Sequence, residues 1–380
     1  MKFLIKYGLL PVLFLMGFAM SSDKFRFGFP IDLTFTITVA FVFYYLFMYK
    51  KRIRGGLSYA WWLYLLVIPS IGMPILTGGN MRDMVYATLI LMLPFALEPF
   101  VPGNDKQTIR GFYLTFIVST IILLMYSNMG ILSNWNTNCI AYLIYLGVAG
   151  AAVILSENRK NIIVWVLLAY VFLQLLVTQS RNVMSALVVV IVLVLFKKTV
   201  SKKWVYRVMY SVFLAYPVFF PVLSLNASGT KLYNVLLEIT TDVFDKNSVF
   251  SGRTVLYEAA ERLTSQYDLR GFLGFGEPMT DALAVHNDYY MIRYAYGIIG
   301  LAIIVILLVT FFEKAYVLIN KGDNIAFGCV VVTLGIIFQQ ASEGWFLASP
   351  LPVLMAFVYM AIVIKRYRMS EGKHLKNENL

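Results

Sequence analysis

A histidine, a phenol and a guanidinium recur at helical spacing in AVHNDYYMIRYAYGIIGL (284–301), where a long apolar run begins. In one continuous helix His286, Tyr290, Arg293 and Gly297 share a face, with Arg293 roughly 10 Å below His286 at 1.5 Å per residue. A lipid-facing stripe carries an arginine only at high cost, so the spacing points to a polar cleft. The competing reading makes Tyr289, Tyr290 and Tyr294 an aromatic belt, with His286 at the headgroups. Arg181 stands in TQSRN (178–182) between two apolar runs. It either marks a functional site or snorkels to the headgroups. Arg253 opens the helix-like stretch FSGRTVLYEAAERL (250–263). A cation there opposes the helix dipole. Free backbone N–H groups beside a guanidinium nevertheless suit a phosphate, and the alternative is a solvated surface arginine. Several cations at one boundary select an anionic substrate such as a lipid pyrophosphate, and a histidine beside it is suited to general-base work.

These residues are positioned by membrane helices. Runs long enough to cross a bilayer fall at about 3–20, 31–49, 57–77, 84–101, 111–127, 139–155, 162–178, 183–196, 208–224, 288–311, 325–341 and 350–364. This gives an all-α polytopic membrane protein of about twelve spans. Lys and Arg crowd alternate loops, for example Lys50–Lys51–Arg52, Lys197–Lys198 and Lys365–Arg366. The positive-inside rule then places both termini in the cytoplasm. Lys2 and Lys6 would also suit the n-region of a signal peptide, but the following run is long for one and reads as a helix. The organisation is nine spans over 1–224, one large extracytoplasmic loop over 225–285, three spans over 286–365, and a cytoplasmic tail over 366–380. A loop of that length is functional more often than connective. Within it, residues 250–263 read as an amphipathic helix capped by Ser251 or Thr254, with Val255, Leu256, Ala259, Ala260 and Leu263 on its apolar face. A glycine-rich turn, RGFLGFGEP (270–278), follows.

Composition narrows the function. Of the 380 residues 60% are hydrophobic and 14% charged, against roughly half and a quarter in soluble chains. The net charge of +12 comes largely from short loops, so it speaks for topology and against nucleic acid. Cys139 and Cys329 both sit in apolar runs and form no CxxC. Two histidines, His286 and His374, make no metal-ligand spacing, so no transition-metal site and no cofactor is expected, which leaves a divalent ion loosely held on carboxylates as the one open metal reading.

In chain order, Ser180–Arg181 opens a helix, Ser251–Gly252–Arg253 heads a helix in a large outer loop, and His286–Asn287 precedes Gly297, Gly300 and Leu301 in an HN-x9-G-x-x-G-L pattern. This constellation resembles the O-antigen ligase and polymerase superfamily, integral-membrane glycosyltransferases with a GT-C-like fold. The motif likeness covers residues 178–301. What the resemblance implies is a bacterial inner-membrane enzyme acting, without metal, on undecaprenyl pyrophosphate-linked oligosaccharide at the extracytoplasmic face. Arg181 and Arg253, with Arg293 as a third cation, would hold the pyrophosphate. His286 would activate the acceptor hydroxyl, with Asn287, Asp288, Tyr290 and Glu258 as supporting candidates. A flippase and a chain-length regulator are the implied partners. Some ligases carry Arg-x3-Leu at the first arginine; here that position is Ser185, with leucine at Leu187. Together with the compact loop, this puts a polymerase of O-antigen or capsule repeat units ahead of a ligase transferring to lipid A–core.

Single residues leave alternatives open. Asp288 assists His286 or caps the re-entering helix; Glu258 and Glu261 are solvated or bind sugar. Glu343 and Trp345 are further sugar-contact candidates. A lipid-linked oligosaccharide flippase is the rival class. A carrier tends to show two related halves, and only Glu98 and Arg293 suggest themselves as deep charges.

Overall fold

The computed structural model describes residues 70–129, 137–176, 180–226, 229–244, 253–265, 267–277, 286–342 and 350–377, besides position 249. The first two apolar runs, most of the third, Ser251, Gly252, Glu343 and Trp345 lie outside the described residues. Among the described residues every regular element is a helix. Residues 70–77 are helical. Then come α1 (Met81–Leu91), α2 (Leu93–Ala96), α3 (Asp105–Met129), α4 (Thr137–Val148), α5 (Gly150–Glu157), α6 (Ile162–Leu175), α7 (Arg181–Leu195) and α8 (Lys197–Val200). The chain continues with α9 (Lys203–Asn226), α10 (Lys231–Phe244), α11 (Thr254–Thr264), α12 (Leu269–Leu273), α13 (Asp288–Asn320), α14 (Asn324–Gln340) and α15 (Pro350–Asn377). Among the described residues three segments are long and apolar enough to cross a membrane: Asp105–Tyr126, Lys203–Asn226 and Asp288–Asn320. Four shorter apolar helices, including α6, α7 and α14, accompany them.

The bundle is organised around α14. Every residue of this helix except Asn324 and Phe338 is buried, as expected of a helix apolar on all sides. Small residues let its neighbours approach. A Cβ at Gly328 would lie 2.6 Å from the Val153 Cα of α5, and one at Gly335 would lie 2.6 Å from Val190 of α7. The end of the bundle at Asp323 is closed by charge. Arg366 pairs with Asp323 and Asp105, each at 2.6 Å, and Arg368 pairs with Glu98 at 2.9 Å. These pairs hold Arg366 and Arg368 against the bundle within α15, which runs on to Asn377 through residues read from sequence as a tail beginning at 366. The partners sit at helix ends: Asp323 caps α14, Asp105 opens α3 and Glu98 follows α2.

Two further departures concern the large loop. Among its described residues it holds three helices, α10, α11 and α12, where the sequence reading saw one. In α11 the cap is Arg253, in αR conformation, without a side-chain cap bond; Thr254 is the first helical residue. The buried face is Tyr257, Ala260 and Thr264, while Val255 is 71% exposed. Tyr257 decides the register. Its ring stacks on Tyr290 at 6.0 Å and meets the edge of Phe220 at 6.4 Å.

Candidate functional site

The three motif segments meet at the C-terminal end of α14. The last carbonyls of a helix have no intrahelical donors, and here they collect donors from afar. The Asn182 side chain donates to the Gln339 carbonyl at 2.9 Å, and Asn287 donates to the Ala341 carbonyl at 2.8 Å. The Arg253 guanidinium donates to the next carbonyl, that of Ser342. Residues 182, 253 and 287, far apart in sequence, therefore share one short piece of backbone. Each is, or adjoins, a residue singled out for chemistry. This hub could not be read from sequence, because its acceptors are backbone atoms.

Arg181 is the first residue of α7 and half-buried; its guanidinium donates to the Thr240 hydroxyl of α10 at 3.3 Å. Arg253 is near enough for the two positive charges to repel. Like charges held together beside a helix N-terminus form an arrangement that an anion relieves. Thr240 was not foreseen. Its only sequence trace is the helical spacing of the residues around it.

His286 lies outside the helix that follows it. It is exposed and has φ +48°, making it the one described residue other than glycine with positive φ. Asn287 is the N-cap of α13, its side-chain oxygen accepting from the Tyr290 N–H at 3.2 Å. The same side chain also donates to the Pro217 carbonyl of α9 at 2.9 Å and is wholly buried. His286 therefore does not share a helical face with Tyr290, Arg293 and Gly297. The continuous helix assumed for that face begins two residues later and is itself interrupted. The cap is Asn287 rather than Asp288.

Gly297 is where α13 breaks, at φ 66° and ψ −170°. A Cβ there would come within 2.2 Å of the Phe272 carbonyl oxygen at the end of α12. Gly274 fits as tightly against the Ala295 carbonyl, at 2.2 Å. Between them, the Phe275 N–H donates to the Tyr294 carbonyl at 2.8 Å, and the rings of Phe275 and Tyr294 stack 4.3 Å apart. The Thr77 hydroxyl holds the Phe275 carbonyl at 2.9 Å. What the missing side chain of Gly297 admits is the end of α12 and the glycine-rich loop that follows it.

Arg293 and Tyr290 are engaged by α11. The Tyr290 hydroxyl donates to Glu261 at 2.9 Å, Arg293 lies 3.6 Å from the same carboxylate, and Arg293 donates to the Tyr289 hydroxyl at 3.0 Å. The Arg293 Nε is buried with no hydrogen-bond partner among the described residues. Of the two carboxylates of α11, Glu258 is exposed and Glu261 joins this network. Asp288 is buried at the first position of α13, where the dipole favours an anion.

An apolar cavity of about 170 Å³ opens between α9, α13, α14 and α15. Asp288, Tyr289 and Gln340 line it at the hub end, and Leu308, Phe311 and Ile364 line it deeper. Among the described residues no three His, Cys, Asp or Glu side chains converge as metal ligands. No protein-family model, no characterised protein and no solved structure matches the chain.

Proposed function

We propose that this chain is a membrane-embedded glycosyltransferase of about twelve spans and GT-C-like architecture. In this reading it polymerises undecaprenyl pyrophosphate-linked repeat units on the extracytoplasmic face of a bacterial inner membrane, with both termini in the cytoplasm. The observation that carries the reading is the meeting of Arg181–Asn182, Arg253 and His286–Asn287 on the end of α14. Two guanidinium groups in electrostatic range of one another suit a pyrophosphate. The apolar cavity leading away from Asp288 and Tyr289 suits a polyprenyl chain.

The reaction divides among these groups. The acceptor hydroxyl oxygen attacks the anomeric carbon of the donor as its proton passes to His286. The bond from that carbon to the pyrophosphate oxygen breaks, and its electron pair leaves with the pyrophosphate. Arg181 and Arg253 neutralise the charge that develops there, which lowers the barrier because the cations are already in place. Attack opposite the leaving group inverts the configuration.

The deep charges that would suit a carrier are engaged otherwise. Glu98 pairs with Arg368, and Arg293 lies beside Glu261. Reconstitution with lipid-linked repeat unit alone tests the proposal. A ladder of products, lost in Arg181→Ala and His286→Ala, supports a polymerase. Transfer only after lipid A–core is added indicates a ligase. Lipid crossing the bilayer with no covalent product indicates a flippase.

A further inference from the structure

The helix α10 divides its surface three ways. At 100° per residue, Tyr233, Leu237 and Thr240 occupy one arc. Thr240 is buried against Arg181, and the other two are half-buried. Asn234, Glu238, Thr241 and Asp242 occupy a second arc and are exposed. Val235, Leu236 and Ile239 occupy the third, and these aliphatic side chains are 52%, 40% and 50% exposed. A helix standing free in water has no reason to keep its apolar and polar exposed residues on separate arcs. A helix lying in a membrane interface does.

The level of α10 in the bundle agrees. Thr240 is tied to the first residue of α7, whose other end leads into Lys197 and Lys198. The 15 residues between Arg181 and Leu195 span about 22 Å, so Arg181 and Lys197 mark the two ends of an apolar slab and α10 lies at one of them. Only four residues separate α10 from α9, and the last turns of α9 expose Phe219, Val222 and Leu223. In chain order the apolar arc of α10 follows directly on that exposed apolar stretch.

We propose that α10 is an interfacial helix lying in the plane of the membrane–water boundary at the Arg181 end. Val235, Leu236 and Ile239 dip among the acyl chains, and Thr240 is thereby held at the depth of Arg181. The occupant of the apolar arc is the lipid bilayer. The inference rests on the chain being membrane-embedded and is independent of glycosyl transfer.

Spin labelling tests it. Cys139 and Cys329 are replaced by alanine, and single cysteines are introduced in turn at positions 234–242. Each labelled full-length protein is reconstituted into phosphatidylethanolamine–phosphatidylglycerol vesicles. Collision with oxygen, which partitions into lipid, is compared with collision with a water-soluble nickel chelate. The expected result is a logarithmic oxygen-to-nickel ratio that is positive at 235, 236 and 239 and negative at 234, 238 and 241, with 237 and 240 shielded from both. Nickel access at 235, 236 and 239 overturns the proposal in favour of a solvated helix. Shielding of those positions from both reagents overturns it in favour of a protein cover. Labels at Val188→Cys and Val192→Cys of α7, both exposed aliphatic positions, separate the two failures. If they too read as aqueous, membrane embedding itself is wrong and the proposal falls with it.

Discussion

The side-chain amide of Asn287 donates to the Ala341 carbonyl at 2.8 Å, so the neighbour of the candidate base hangs from the end of α14, a helix buried at all but two of its 17 residues. The same amide reaches the Pro217 carbonyl. Asn287→Ala strands both acceptors, each at a cost of about 1–3 kcal/mol where burial keeps water out. Asn287→Asp is expected to be worse at neutral pH, because it points an anion at two carbonyls. Melting temperatures in detergent should fall in the order wild type, Ala, Asp. Equal stability of the Asp variant and wild type would show that the donor role is unimportant.

His286 occupies a left-handed conformation at φ +48°, which costs an ordinary L-residue roughly 1–2 kcal/mol and glycine almost nothing. Asparagine tolerates the region better than alanine. His286→Gly, His286→Asn and His286→Ala should all lose transfer activity, since none carries an imidazole. Their stabilities should rank Gly and Asn above Ala. If Ala melts level with Gly, the backbone is not held in this conformation in solution.

Gly297 and Gly322 both have positive φ, 66° and 84°, yet their surroundings differ. A Cβ at Gly297 meets the Phe272 carbonyl at 2.2 Å, while one at Gly322 meets nothing within 4 Å. Gly322→Ala should therefore show only the conformational penalty of about 1–2 kcal/mol. Gly297→Ala should exceed it, and should also free the segment around Phe272–Gly276 for proteolysis. Indistinguishable variants would remove the close docking of α12 on the break in α13.

Sequence patterning shows where the helices lie more clearly than how they meet. The apolar runs near 111–127, 162–178 and 288–311 correspond to α3, α6 and α13, because hydropathy follows from composition over about twenty residues. The break at Gly297 was invisible, since a glycine in an apolar run reads the same whether it packs against a helix or bends. The hub at Gln339–Ser342 carries no side-chain motif at all. The helix α10 left a legible trace in the 3.6-residue spacing of Val235, Leu236 and Ile239. That trace is short, and it sits in a loop where Arg253 draws the attention. Arg293 was read as a free cation because its partner, Glu261, lies 32 residues away in another element.

That partnership decides what Arg293 does. It lies 3.6 Å from Glu261 and donates to the Tyr289 hydroxyl, while Tyr290 donates to the same carboxylate. These contacts join α11, which begins next to Arg253, to α13, which begins two residues after His286. A latch between the two helices fits the geometry better than a third pyrophosphate ligand. Glu261 is 46% exposed, so the ion pair alone contributes no more than about 1 kcal/mol. Contacting residues nevertheless show coupling, of about 0.5–3 kcal/mol. The double variant Glu261→Ala/Arg293→Ala should therefore lose less stability and activity than the two single variants summed. As a latch, Arg293→Lys should retain most activity and leave the KM for the lipid-linked donor unchanged, since an ammonium still pairs with Glu261. As a pyrophosphate ligand, Arg293→Lys should instead raise that KM, and Arg293→Ala should cost as much whether or not Glu261 is present. Measuring the donor KM across the four proteins of the cycle and the lysine variant separates the two roles, and additive losses would overturn the latch.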